Sequence, residues 1–149
     1  MFTFKKWNEN VTKGFQLENV VVTKIESKSL IYFNSGVPTL VAVDTAATNE
    51  IYILAEDLLT SSAKDNVVGQ KNTAVVYEIK DDDLVVAPYK YATSGGTAPT
   101  VGTSVSVSTG TELVETGDGE VSRFIIEELL DTSYVSGSNT IKYVVAKKI

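Results

Sequence analysis

Histidine and cysteine are absent from this 149-residue chain, and arginine, tryptophan and methionine occur once each, as Arg123, Trp7 and Met1. Without imidazole or thiolate, a Ser-His-Asp triad, thiol chemistry and the usual zinc sites have no ligands or nucleophiles. Phosphate recognition is poorly served as well. Neither a GxxxxGK[ST] nor a GxGxxG pattern occurs, and one guanidinium cannot build the bidentate clusters that hold nucleotides. No cofactor and no metal is expected. Carboxylate-only catalysis stays chemically open, because two acids with separated pKa values can cleave a glycoside. The adjacent acids Glu56-Asp57 and Glu127-Glu128 are the candidates. Neighbours on a strand point to opposite faces, so neither pair forms such a site alone; Glu56 would have to face Glu127. The plainer reading is that these acids bond nearby backbone at strand ends, and the chain is expected not to be an enzyme.

Basic charge is also scarce. A net charge of −6 leaves no basic face to release counterions from a nucleic acid, so no nucleic-acid partner is expected. No apolar run approaches the ~20 residues that span a bilayer, so no membrane partner is expected either. Met1-Phe2-Thr3-Phe4-Lys5-Lys6-Trp7 carries charge but no apolar core or small-residue cleavage site, unlike a secretory leader. The expectation is a product made in the cytoplasm that leaves only within an assembled particle.

What the chain has is β-branched residues, Ser/Thr/Gly punctuation and 43% hydrophobic content, enough for a folded β-rich domain or two small ones. It also echoes itself. Ile53-Leu54-Ala55-Glu56-Asp57-Leu58-Leu59 returns as Phe124-Ile125-Ile126-Glu127-Glu128-Leu129-Leu130; Gly36 to Val43 parallels Gly102 to Val107; Asn72 to Lys80 parallels Asn139 to Lys147. Three matches in one order suggest an internal repeat, although shared composition also produces such echoes. The fold class read from this is mainly β: two small β-barrel or β-sandwich-like modules, with an extended N-terminal arm. The boundaries are an arm over 1–14, a first module over 15–92, a linker or long loop over 93–100 and a second module over 101–149.

Along the chain, strands are expected at Leu17 to Ile25, Leu30 to Phe33, Leu40 to Val43, Ile51 to Ala55, Thr73 to Ile79 and Ile141 to Ile149. Gly36-Val37-Pro38 reads as a turn, Asp44 to Glu50 as a polar loop, and Leu84 to Ala87 as a short strand ended by Pro88. Glu56 to Thr60 reads as a loop or one helical turn. Asp81-Asp82-Asp83 lacks the alternating ligands, central Gly and closing Glu of an EF-hand, and reads as a solvated turn. Thr116-Gly117-Asp118-Gly119-Glu120 is another turn.

Phe2, Phe4, Trp7 and Phe15 are the candidate partner interface. Phe2 and Phe4 share one face of an extended arm, which either packs on its own domain or adds its aromatics to a neighbouring subunit. On the second reading, deleting residues 1–10 leaves the isolated protein folded.

The run Gly36 to Asp44, then Ile51-Tyr52-Ile53-Leu54-Ala55-Glu56-Asp57, then Thr73-Ala74-Val75-Val76-Tyr77 resembles bacteriophage head decoration proteins. The resemblance covers about 36–80 and, more faintly, 102–147. It implies a non-enzymatic virion structural protein, located on the capsid exterior, that binds the major capsid protein lattice and stabilises the shell. It also implies self-association, with a trimer as one form. Alternatives are another virion component (tail, baseplate or head fibre) and a carbohydrate-binding or adhesion module using exposed members of Tyr32, Tyr52, Tyr77, Tyr89, Tyr91, Tyr134 and Tyr143.

Overall fold

The computed structural model describes residues 1–5, 12–17, 25–55 and 72–149. Among these residues there is no helix, and the strands are β1 (Thr3–Phe4), β2 (Thr12–Leu17), β3 (Leu30–Asn34), β4 (Val37–Leu40), β5 (Tyr52–Leu54), β6 (Asn72–Glu78), β7 (Leu84–Ala92), β8 (Ser104–Ser108), β9 (Glu112–Glu115), β10 (Phe124–Ser136) and β11 (Asn139–Lys148). They form two sheets. One has the order β2-β6-β5-β3-β4; the other runs β1-β7-β11-β10-β8-β9. The second sheet is ring-like, because β9 also pairs in parallel with β7, Leu113 opposite Tyr89.

Period-two alternation explains both cores. From the ring, Val85, Ala87 and Tyr89 of β7, Val105 and Val107 of β8, Leu113 of β9, Phe124 and Ile126 of β10, and Val144 and Ala146 of β11 are buried in one cluster. Leu30, Val41, Ile51, Ile53 and Ile79, from the other sheet and its flanks, are buried in that same cluster. The intervening residues Ile31, Tyr52, Leu54 and Val76 form a second cluster with Ile25. Each strand of β3, β5 and β6 therefore feeds both cores by turns.

The sheets do not follow the segments 15–92 and 101–149. β7 pairs with β11 along its whole length, from Leu84 opposite Lys147 to Ala92 opposite Asn139. Residues 93–100 connect two strands of one sheet and are pinned to it: Thr93 N–H donates to the Ser138 carbonyl, and the Tyr89 hydroxyl donates to the Thr97 carbonyl at 3.2 Å.

Nor does the strand order repeat. The echo matches β5 with β10, β6 with β11 and β4 with β8. Yet β10 lies between β11 and β8, whereas β5 lies between β6 and β3. The register differs too. Ile53 faces Tyr77, and the echo of that pair would set Phe124 opposite Val144, but Phe124 faces Lys148. The likeness resides in strand composition.

Two prolines correct the local reading. The β3–β4 turn is Ser35-Gly36, both with positive φ (49° and 81°), the two-residue geometry whose twist matches a hairpin. Pro38 lies inside β4, opposite Phe33, at a sheet edge that does not need its N–H. The strand thus starts before Leu40, and Val41 to Val43 lie beyond it. Pro88 does not end β7. It sits opposite Tyr143, and the other flank of β7 is paired only at Val85, Val86 and Tyr89, so a missing donor there breaks no ladder. A strand lies at Thr12–Leu17, and most of the expected Leu17 to Ile25 strand, residues 18–24, lies outside the described residues, as does the 56–60 loop or turn.

Candidate partner-binding site

The N-terminus is built into the ring. Thr3 and Phe4 pair with Val86 and Val85, Phe2 N–H donates to the Lys28 carbonyl at 3.0 Å, and Lys5 N–H donates to the Leu84 carbonyl at 3.0 Å. Phe2 is fully buried and stacks on Phe124, with ring centroids 6.1 Å apart and planes 30° apart. Its apolar body supplies core area, so it offers no surface to another chain. Phe4 is half-buried and meets Tyr77 edge-on at 6.5 Å. Together with Ile53, Leu54 and Lys28, these aromatics line an apolar groove of about 340 Å³. Phe15 belongs to β2, where its backbone faces Ala74, and its side chain lies outside the described set. Trp7 lies outside the described residues altogether. Of the four aromatics, the side chains of Phe2 and Phe4 are described, and both lie at this groove, Phe2 fully buried and Phe4 half-buried.

The tyrosines do not form a platform. Tyr52 and Tyr89 are buried, Tyr32, Tyr77 and Tyr91 pack half-buried against the main core, and only Tyr134 is exposed. Burial raises the Tyr52 hydroxyl well above the ordinary phenol range, helped by its 2.7 Å hydrogen bond to the Glu50 carboxylate. Burial also raises Tyr89, with Glu115 adding to it.

The acids are held by ordinary partners. Glu127 pairs with Lys147 at 3.3 Å and Glu128 with Lys5 at 2.8 Å, on a strand whose register with β11 slips between Ile126 and Glu128. Glu56 lies outside the described residues. Asp83 accepts from Lys80 N–H and closes the acidic turn, while Asp81 meets Lys148 at 2.5 Å, which lowers its pKa. Among the described residues no group of three or more acids is placed to hold a metal ion.

Sequence reasoning did not single out Arg123 or the β10 edge. The Arg123 guanidinium, 3% exposed, donates to the carbonyls of Thr45, Ala46 and Asn49 at 2.9, 2.6 and 3.1 Å, with Ala47 at 3.5 Å. Burial lowers its pKa, and among the described residues Nε has no partner. Its being the chain's lone arginine was the available signal. β10 runs beyond its pairing with β8, and from Glu127 to Ser136 every β10 residue is exposed except half-buried Leu130. Leu129, Tyr134 and Val135 are 38%, 52% and 65% exposed.

Compared with known proteins, the chain matches no family model, no curated protein and no solved structure.

Proposed function

We propose that the protein is a non-enzymatic virion component that coats the outer surface of a bacteriophage capsid and stabilises it, binding the major capsid protein lattice at many weak sites together. The observation that carries this reading is the outer half of β10, where Leu129, Tyr134 and Val135 are exposed while most large apolar side chains among the described residues are buried. Such surfaces suit assembly more than chemistry. The pattern over 36–80 that resembles head decoration proteins supports the same reading, and multivalency turns weak single sites into firm attachment. On this view the ring is a small barrel on which the five-stranded sheet lies as a second layer, and Phe4 at its groove joins the contact surface.

The reading tested against it is a tail, baseplate or head-fibre subunit, for which the exposed half of β10 would reach a neighbour. Quantitative mass spectrometry of density-purified particles separates the two. A copy number comparable to the major capsid protein, with the chain accessible to added protease on intact particles, is the expected result. A number at the level of tail components favours the second reading, and absence from particles overturns both.

A further inference from the structure

We propose that the outer edge of β10 is the docking site for a second copy of this chain, the two edges pairing antiparallel about a twofold axis near Thr132. Among the described residues, the body covers this edge only at its start. β8 pairs with β10 at Phe124 and Ile125, and the loop before β8 bonds Ile126 through Gly102 N–H and the Thr103 carbonyl. Beyond Ile126, no strand among the described residues lies against that edge. A row of open N–H and C=O groups is a template for another strand, which proteins blunt with charged side chains, Pro, β-bulges or a cover; here the acids and two register slips blunt it in part. From Glu127 to Ser136 this edge contains neither Lys nor Pro.

The side chains select both the occupant and the register. With Thr132 facing its own copy, Leu129 lies opposite Val135 and Leu130 opposite Tyr134, so each exposed apolar residue of the edge meets an apolar one. Aromatic and branched cross-strand pairs of this kind are favourable, and like charges directly opposite are not. In this register no acid faces an acid: Asp131 lies opposite Ser133, and Glu128 opposite Ser136. Shifting the pairing toward the body sets Asp131 against its own copy. Glu127 and Glu128 are already partnered by Lys147 and Lys5.

Charge complementarity points to the same partner. Lys142 of β11 is registered with Ser133, so in the pair the order across the sheet is Lys142, Ser133, then Asp131 of the other copy. Two strand spacings separate the charges by about 9–10 Å between Cα atoms, which a lysine reaching over a serine narrows. Symmetry makes this contact twice. The β10–β11 slip between Leu129 and Ser133 leaves Leu130, Asp131 and Thr132 without registered β11 partners, the residues that would lie nearest the axis. The inference draws on the same exposed β10 residues as the capsid reading but is tested on the free protein, so a dimer that is absent from particles, or a monomer that is present on them, separates the two.

Sedimentation velocity of the full chain from about 1 μM to about 500 μM, the range of a small interface, tests it. The expected result is a monomer–dimer equilibrium. S133P removes a donor of the open edge, because Ser136 and Asn139 close the hairpin as the hydrogen-bonded pair and Ser133 therefore faces away from β11; it should weaken the dimer about tenfold or more. D131K and K142D should each weaken it about threefold or more, while the double variant restores it, because the swap recreates the cross-axis pair. Circular dichroism and a cooperative melt confirm that each variant is folded, and V135K stands in should S133P fail to fold. A monomer throughout, a trimer, or a dimer indifferent to the folded variants would overturn the proposal.

Discussion

The Arg123 guanidinium donates to the Ala46 carbonyl at 2.6 Å, joining the strand that enters the ring to the loop that leaves the other sheet. The loop is shaped for this role: Thr45 N–H donates to the Ala42 carbonyl, Asn49 N–H donates to the Ala46 carbonyl, and Ala42 N–H donates to the Thr45 hydroxyl. These turns aim successive carbonyls at one point. The backbone of residue 123 adds two more ties, its N–H to Val105 and its carbonyl to Ile149 N–H. A buried cation solvated by carbonyl dipoles is tolerated while those bonds hold, and costly when they do not.

Replacing Arg123 should therefore destabilise the protein well beyond a surface change. We expect about 3–5 kcal/mol for R123A, since several buried carbonyls lose charged donors at once. R123K should cost less, about 1–3 kcal/mol, because an ammonium keeps the charge but cannot span the same carbonyls. Urea unfolding measures both. A loss under 1 kcal/mol for R123A would mean that water replaces the guanidinium without penalty.

Phe2 leads to a second expectation. Its burial against Phe124 and the β1–β7 pairing make the first residues part of the core. F2A should cost about 3–5 kcal/mol, the range for truncating a buried phenylalanine. Deleting residues 1–10 should lower the melting temperature, contrary to the expectation of a dispensable arm. An unchanged melt would return the N-terminus to the role of a free contact segment.

Strands are written in this sequence more plainly than connections, for physical reasons. Leu30 to Phe33, Ile51 to Ala55 and Thr73 to Ile79 were legible because alternating branched and aromatic residues leave few other ways to bury so much apolar surface. Pro38 and Pro88 misled because proline disrupts a ladder only where its nitrogen must donate, and pairing decides that. Phe2 and Phe124 stand far apart in the chain, so their stacking has no local signature. The same is true of Arg123, whose four carbonyls come from a loop that reads only as polar. The echo between halves was real as composition, and composition is silent about which strand lies beside which.

Cutting the chain between 92 and 97 should abolish folding of the C-terminal piece. Residues 97–149 keep β8 to β11 but lose β7, which pairs with β11 throughout and closes the ring on β9. Exposed edges and an opened core leave little to offset chain entropy. The 97–149 fragment alone should show no cooperative melt, and mixing it with 1–92 should recover one. Cooperative unfolding of the isolated fragment would establish a separate module at the 101–149 boundary.

Alkaline pH offers a test that needs no truncation. Tyr52 and Tyr89 both hold their protons more tightly when folded, because burial disfavours the phenolate and Glu50 lies against the Tyr52 hydroxyl. Below the unfolded pKa of about 10 their contribution is fully present. As pH rises beyond it, the unfolded chain releases protons that the folded chain retains, so stability falls by up to about 1.4 kcal/mol per pH unit for each tyrosine. The loss continues until pH passes the folded pKa or the protein opens. Urea midpoints measured from about pH 8 to about pH 11 should decline steeply above pH 10, together with the delayed appearance of phenolate absorbance. Y52F should lower stability at neutral pH by about 0.5–1.5 kcal/mol through its lost hydrogen bond, yet flatten the alkaline decline. A Y52F curve parallel to that of the unaltered protein would show that Tyr52 ionises in the folded state as readily as in the unfolded one, and that the Glu50 bond does not hold its proton.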